Sequence, residues 1–485
     1  MYNRTSERGA LTPAKCVSLR VIGAAAVAAA VAAAAIPASA QIAVRNQGYI
    51  PFSDAPINYR SDDLRDPVAK LEKRLENGQA ALAYEPEHGY LRSVLQQLAV
   101  PIDSQTLVFS KTSFQYPKIS PEHPRALYFN DDVYVGSVHE GKAIEVVSFD
   151  PMQGAIFYLL DEHKVDKPAF QRAELDCTQC HIAAGTRGVP GVLLRSVYPA
   201  SGGTLVAGTR SLITDQESPL ADRWGGWYVT GRIAGVAHMG NASVDEVQVA
   251  SISDPRVAAT KLVPFAKPFD AAAYLSADSD VVAHLVLAHQ TQMHNLITLT
   301  NYKTRMALYS HAQSNPGGTQ RTSEATPPDT LAQQFERPAE QVVHYLLFAN
   351  EAPLSGLGLK ENASASAFAR EFAARGPEDA HGRSLRDFDL NTRIFRYPCS
   401  YLIYSDAFDS LPEPAKVYVY HRLLQVLSGE DKSPDFAQLS TEDRRNVLEI
   451  LLATKRGLPE EWTRYAHSNH LAVQTGAAPA TPPAS

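Results

Sequence analysis

Cys177-Thr178-Gln179-Cys180-His181 is the stretch of this 485-residue chain best equipped for chemistry. Two thiols three positions apart can each add to one vinyl group of a haem, and a histidine directly after the second falls under the iron as proximal ligand. The spacing predicts one covalently attached haem c, held by Cys177 and Cys180, with His181 as a metal ligand. The competing reading is a redox CxxC that happens to precede a histidine. The start of the chain favours haem. Arg4, Arg8, Lys15 and Arg20 make a basic lead, Val21 to Ile36 is alanine-rich and apolar, and Pro37-Ala38-Ser39-Ala40 is an A-x-A cleavage pattern. Residues 1–40 therefore read as a signal peptide, which predicts a periplasmic protein in the compartment where haem is attached covalently. The apolar stretch falls short of the roughly 20 strongly apolar residues that span a bilayer, so no membrane span is expected in the mature chain.

The sixth iron position decides the chemistry. A histidine or methionine there gives an electron carrier, whereas a labile position opens peroxide or diatomic-ligand chemistry. Two clusters offer closures. The first is the glycine loop Gly235-Val236-Ala237-His238-Met239-Gly240-Asn241, where His238 is expected as the second metal ligand, narrowly ahead of Met239. The second is a helical stripe of His289, Met293 and Leu296 with Leu285, a spacing more often found in a core. Met152 and Met306 are weaker candidates. Trp224 and Trp227 suit an apolar cofactor-binding wall, and Arg223 or Arg232 would match a haem propionate.

Charge and cysteine usage narrow the setting. Without residues 1–40 the formal balance is about −10, which disfavours nucleic acid and suits a basic redox protein as partner. With Cys177 and Cys180 committed, Cys399 is left over in an apolar context and is expected to be buried and inert. No HExxH, serine elbow or Walker loop is present. Asp131, Asp132, Glu140 and Glu145 lack EF-hand spacing and read as acidic turn residues.

The elements that must position the motif read as an α+β chain: an antiparallel β-rich N-terminal block, then a largely helical haem region with long insertions. After the signal, residues 41–104 form a helical lead, with helices from Asp66 to Leu82 and Tyr90 to Leu98. Short β-branched and aromatic runs over 105–162 predict an antiparallel meander. Residues 163–311 make the haem-binding region, with strands at Val192–Val197 and Gly203–Val206 and a long helix from Ser279 to about Leu308. A flexible loop is expected at 312–330, and a helical region at 331–470 that completes the haem domain or packs on it. Its helices are Leu331–Phe348, Ala363–Ala374, Pro414–Leu427 and Thr441–Thr454, the last opened by Ser440 and Asp443 as a near capping box. Residues 471–485 read as a disordered tail.

At Cys177 to His181 the chain resembles the c-type cytochromes. The resemblance extends to Gly188-Val189-Pro190-Gly191, a segment of the kind that wraps the proximal side of a c haem. Pro124 to Gly136, Arg223 to Gly231 and His238 to Asn241 resemble a large uncharacterised group of exported bacterial monohaem proteins. The resemblance implies a c-type haem but no substrate. Single-electron transfer is the expected function, with a haem enzyme or ligand sensor, or a protein-binding module with structural haem, as alternatives. Catalysis and oligomeric state stay open.

Overall fold

The computed structural model of the chain describes residues 51–234, 238–244, 262–265, 269–314 and 329–472. The expected signal peptide, most of the expected loop at 312–330, the tail beyond 472 and Gly235 to Ala237 of the glycine loop lie outside them. The described residues belong to one compact unit, Gln47–Ser485. An antiparallel sheet dominates the N-terminal part and helices the C-terminal part, so the fold is α+β.

The meander folds as its alternation predicts. Strands β1 (Thr106–Val108), β2 (Arg125–Phe129), β3 (Val133–Ser137), β4 (Ala143–Asp150) and β5 (Gly154–Asp161) pair in sequence order. Asparagine and aspartate close two of the hairpins. Asn130 Oδ1 accepts from the backbone N–H of Asp132 and Val133, and Asp150 Oδ1 accepts from those of Met152 and Gln153. The sheet runs past residue 162, because β6 (Phe170–Arg172) extends one edge. Strands β7 (Leu194–Ser196) and β8 (Leu212–Thr214) pair separately, and β9 (Trp227–Tyr228) joins the sheet's other edge beside β1.

Register divides the sheet into two faces. Leu127, Gly136, Glu145 and Leu159 are partnered in succession across β2 to β5, as are Phe129, Tyr134, Val147 and Phe157, so all share the inward face. The opposite face carries Val133, Val135, Ile144, Val146 and Ile156. It packs against the lead helices α1 (Pro67–Glu76) and α2 (Leu91–Gln97) through Val68, Leu71, Leu91 and Leu95. Asp66 caps α1 through the N–H groups of Val68 and Ala69 and accepts from Tyr158 Oη at 2.9 Å, tying that helix to β5. Both sheet faces are thus used internally.

The CxxCH motif occupies α3 (Glu174–His181), which directly follows β6. The long helix α4 spans Val281–Ser314 and is buried on all sides from Val281 to Asn301. A helix wrapped so completely belongs to a core and not to a surface. Beyond it lie α5 (Asp329–Leu346), α6 (Ala367–Ala374), α7 (Glu413–Ser428), α8 (Thr441–Thr454) and α9 (Glu460–Ser468). Ser440 and Asp443 form the expected capping box on α8. No helix among the described residues is long and apolar enough to cross a membrane.

Several boundaries differ from expectation for local reasons. Helix α1 stops at Glu76 and not at Leu82, with Gly78 following at φ +68°. The segment expected as one helix from Ala363 breaks at Ser366, whose hydroxyl caps α6 by accepting from Ala369 N–H. Gly203–Val206 is not a strand. Gly203 turns at φ +83°, and β7 pairs instead with β8.

Candidate haem-binding site

Helix α3 puts Cys177 and His181 one turn apart, with Cys180 adjacent, so the three reactive side chains share one side of two helical turns. Cys177 is half-buried and Cys180 exposed, and neither is in a disulfide. After the helix the chain reverses through Arg187 and Gly188, both at positive φ, and brings Gly191 beneath His181. Gly191 N–H donates to the His181 carbonyl at 3.1 Å, while His181 Nδ1 lies 2.8 Å from the Gly191 carbonyl oxygen. A carbonyl can only accept, so Nδ1 carries the proton and Nε2 presents its lone pair. Burial lowers the imidazole's pKa and the Gly191 carbonyl raises it, with Arg125, Glu145 and Arg195 acting at longer range; the net shift is downward. His181 is therefore neutral near pH 7, as a metal ligand must be.

The reversing loop is clamped from α4. Asn295 Oδ1 accepts from Val192 N–H at 3.1 Å and Nδ2 donates to the Val192 carbonyl at 2.7 Å. Gly191 is required here, since a Cβ would collide with Asn295 Oδ1 and press on Thr186. On the other side the Pro190 carbonyl accepts from Ala155 N–H at the β4–β5 hairpin. Asn295 thus orients His181 through the loop, the kind of outer support that metal-binding histidines need.

Over these groups opens a cavity of about 600 Å³, within the range of about 300–1,000 Å³ usual for ligand sites. Cys177, Cys180 and His181 line one part, and Leu127, Phe129, Val147 and Phe157 supply the sheet wall. Phe157 packs on the His181 ring with centroids 5.1 Å apart. Val192, Leu194 and Trp227 supply another wall, and Leu287 and Thr291 of α4 a third. Two unbridged thiols, an imidazole with a bare Nε2 and an apolar, cofactor-sized cavity fit a covalently held haem.

Of the other expected site residues, Trp227 lines the cavity, its indole N–H donating to the Arg195 carbonyl at 2.8 Å. Trp224 stands behind that wall, against the rings of His238 and His284. His238, expected as second metal ligand, is not among the residues lining the cavity. Its Nδ1 accepts from Gly240 N–H at 3.1 Å and its ring meets Trp224 at 5.3 Å. Met239 is fully buried in a separate small cluster, its sulfur accepting from Ser196 Oγ. His289 is committed at both nitrogens, to Gln216 Oε1 at 2.6 Å and Ser400 Oγ at 2.7 Å, and Met293 packs in the main core. Arg223 is buried on the Ser218 and Gln216 carbonyls, and Arg232 pairs with Glu361 at the surface, so neither serves the cavity. Cys399 is wholly buried, its thiol pushed up to about 12 by burial.

The cations that do line the cavity are Lys111, Arg125 and Arg195, with Glu145 as their acidic counterpart. Glu145 is no turn residue; it sits within β4. A signal for this pair was available. The alternation of β2 and β4 puts Arg125 and Glu145 on the same inward face as Leu127, Phe129 and Val147, where charge is out of place. Compared with known protein families, curated sequences and solved structures, the chain matches none.

Proposed function

We propose that this chain is an exported, periplasmic haem c protein that carries single electrons to or from a redox partner. The observation that carries the reading is His181 Nδ1–H donating to the Gly191 carbonyl, which turns a bare Nε2 toward a cavity that Cys177 and Cys180 also line. Haem supplies a one-electron iron couple when bound. Cys177 and Cys180 would hold it by thioethers and His181 by its Nε2. Phe157, Trp227 and the aliphatic walls keep water from it, which favours the reduced state. Exposed Cys180 brings the attachment edge to the surface, where a partner could exchange electrons.

A second reading, a ligand sensor or enzyme with a labile sixth position, is favoured by one observation. His238, Met239, His289 and Met293 all have other engagements, and His181 is the one histidine among the described residues lining the cavity. The ferric spectrum separates the two. A low-spin form indifferent to cyanide supports the carrier; a high-spin form that binds cyanide rapidly supports the sensor or enzyme.

A further inference from the structure

The sheet wall of the cavity carries charge at one place. Arg125 of β2 and Glu145 of β4 face inward with Gly136 of β3 between them. A Cβ at position 136 would lie 2.5 Å from Arg125 Nη2 and 2.9 Å from Nε, so the guanidinium lies flat over the glycine and reaches Glu145. Glycine inside a strand weakens it and marks close approach by another group. The carboxylate is braced further by Ser113 Oγ at 2.7 Å and Gln115 Nε2 at 2.9 Å. Arg125 Nε–H is buried without a hydrogen-bond partner.

Stability does not explain this arrangement. The two side chains are only 19% and 14% exposed, and such pairs are often no better than apolar residues of the same volume. The sheet also gives up a side chain at position 136 to make room. Lys111 and Arg195, the other cations at the cavity, match in number the two propionates of a haem. Arg125 is left over: a planar fork of N–H donors in an apolar wall, which suits a planar oxyanion.

We propose that Arg125, laid over Gly136 and braced by Glu145, binds a small planar oxyanion, of the nitrite or short carboxylate class, inside the haem cavity. The proposal rests on the haem c reading and gives the cavity a ligand beyond its cofactor. Glu145 holds the guanidinium in place and competes with the incoming anion for it.

Sodium nitrite titrated into the ferric holoprotein, followed by calorimetry and the Soret band, with haem content measured on every sample, tests this. The wild type should bind nitrite at one saturable site. Arg125→Gln should weaken binding at least about tenfold at unchanged haem content, and Arg125→Lys, which keeps the charge but loses the fork, should weaken it too. Gly136→Ala should act in the same direction by pushing the guanidinium off its seat. Glu145→Gln should tighten binding several-fold. Absent binding in the wild type, binding indifferent to both Arg125 variants, or weaker binding in Glu145→Gln overturns the proposal. A loss of haem in the Arg125 variants also overturns it and makes Arg125 a propionate anchor. A wild type without covalent haem brings down the parent reading as well, and the haem measurement identifies that case.

Discussion

His181 and His289 are the same side chain in opposite conditions, and the two regions around them differ accordingly. His181 spends one nitrogen on a carbonyl and turns the other to a cavity. His289 lies wholly buried with both nitrogens engaged and Phe348 stacked at 4.5 Å. His284 and His294 are buried as deeply, with Nε2 on the carbonyls of Tyr228 and Asp131 respectively, although His294 Nδ1 is left without a partner in the core. The loop under His181 leaves the Nε2 lone pair unspent. Along α4, His284, His289 and His294 are polar core residues held by the elements packed around them. Residue type alone does not separate them, nor does an unspent nitrogen by itself; of these histidines only His181 lines the cavity.

The largest effect should come from the motif itself. Cys177→Ala with Cys180→Ala should abolish covalent haem, and either single change should leave at most one thioether, read by haem staining of the denatured chain. Next come the supports of His181. Asn295→Leu leaves the Val192 N–H and carbonyl without their partners, at a cost of roughly 2–4 kcal/mol. It should also shift the reduction potential, which thermal melting alone would not reveal but potentiometry would. Gly191→Ala should do the same through its clash with Asn295.

His289→Leu should break the other half of the comparison. It strands Gln216 and Ser400 and should cost roughly 2–3 kcal/mol while leaving the haem spectrum unchanged. Its pH dependence has a definite sign. Burial holds the folded-state pKa of His289 down to about 3, against 6.5 ordinarily. Between those values the unfolded chain takes a proton that the folded chain refuses, so His289 costs the wild type stability as pH falls below 6.5. The penalty of His289→Leu should therefore be smaller at pH 5 than at pH 7 by about 2 kcal/mol. Denaturant titrations of both proteins at the two pH values measure this. The smallest effect is expected at the glycine loop. His238→Ala and Met239→Leu should leave the ferric spectrum unaltered, and a high-spin shift in either would return the sixth ligand to that loop.

The same contrast shows what was legible from residue order. Local signals served well: the alternation of β2 to β5, the cap at Asp66 and the capping box at Ser440. Cys399 also falls where its apolar neighbours put it. What stayed hidden depends on pairing between distant segments. Strand β9 is two residues long and exists by lying against β1. The bridge from Arg125 to Glu145 depends on register, which puts Gly136 between two residues 20 positions apart. Asn295 reads as one more polar residue on a helix until the loop it clamps is folded against it. Sequence proximity of His238 to the tryptophans likewise says nothing about which side of Trp224 its ring occupies.

The central claim is that Cys177, Cys180 and His181 hold a haem covalently. The purified mature protein, produced where c-type haem is attached, should be denatured, extracted with acidified acetone and measured as its pyridine haemochrome. The account predicts one haem per chain, remaining with the polypeptide and showing the spectrum of a haem whose two vinyl groups are saturated as thioethers. Haem recovered in the solvent, or a chain with two titratable thiols at Cys177 and Cys180 and no haem, would contradict it.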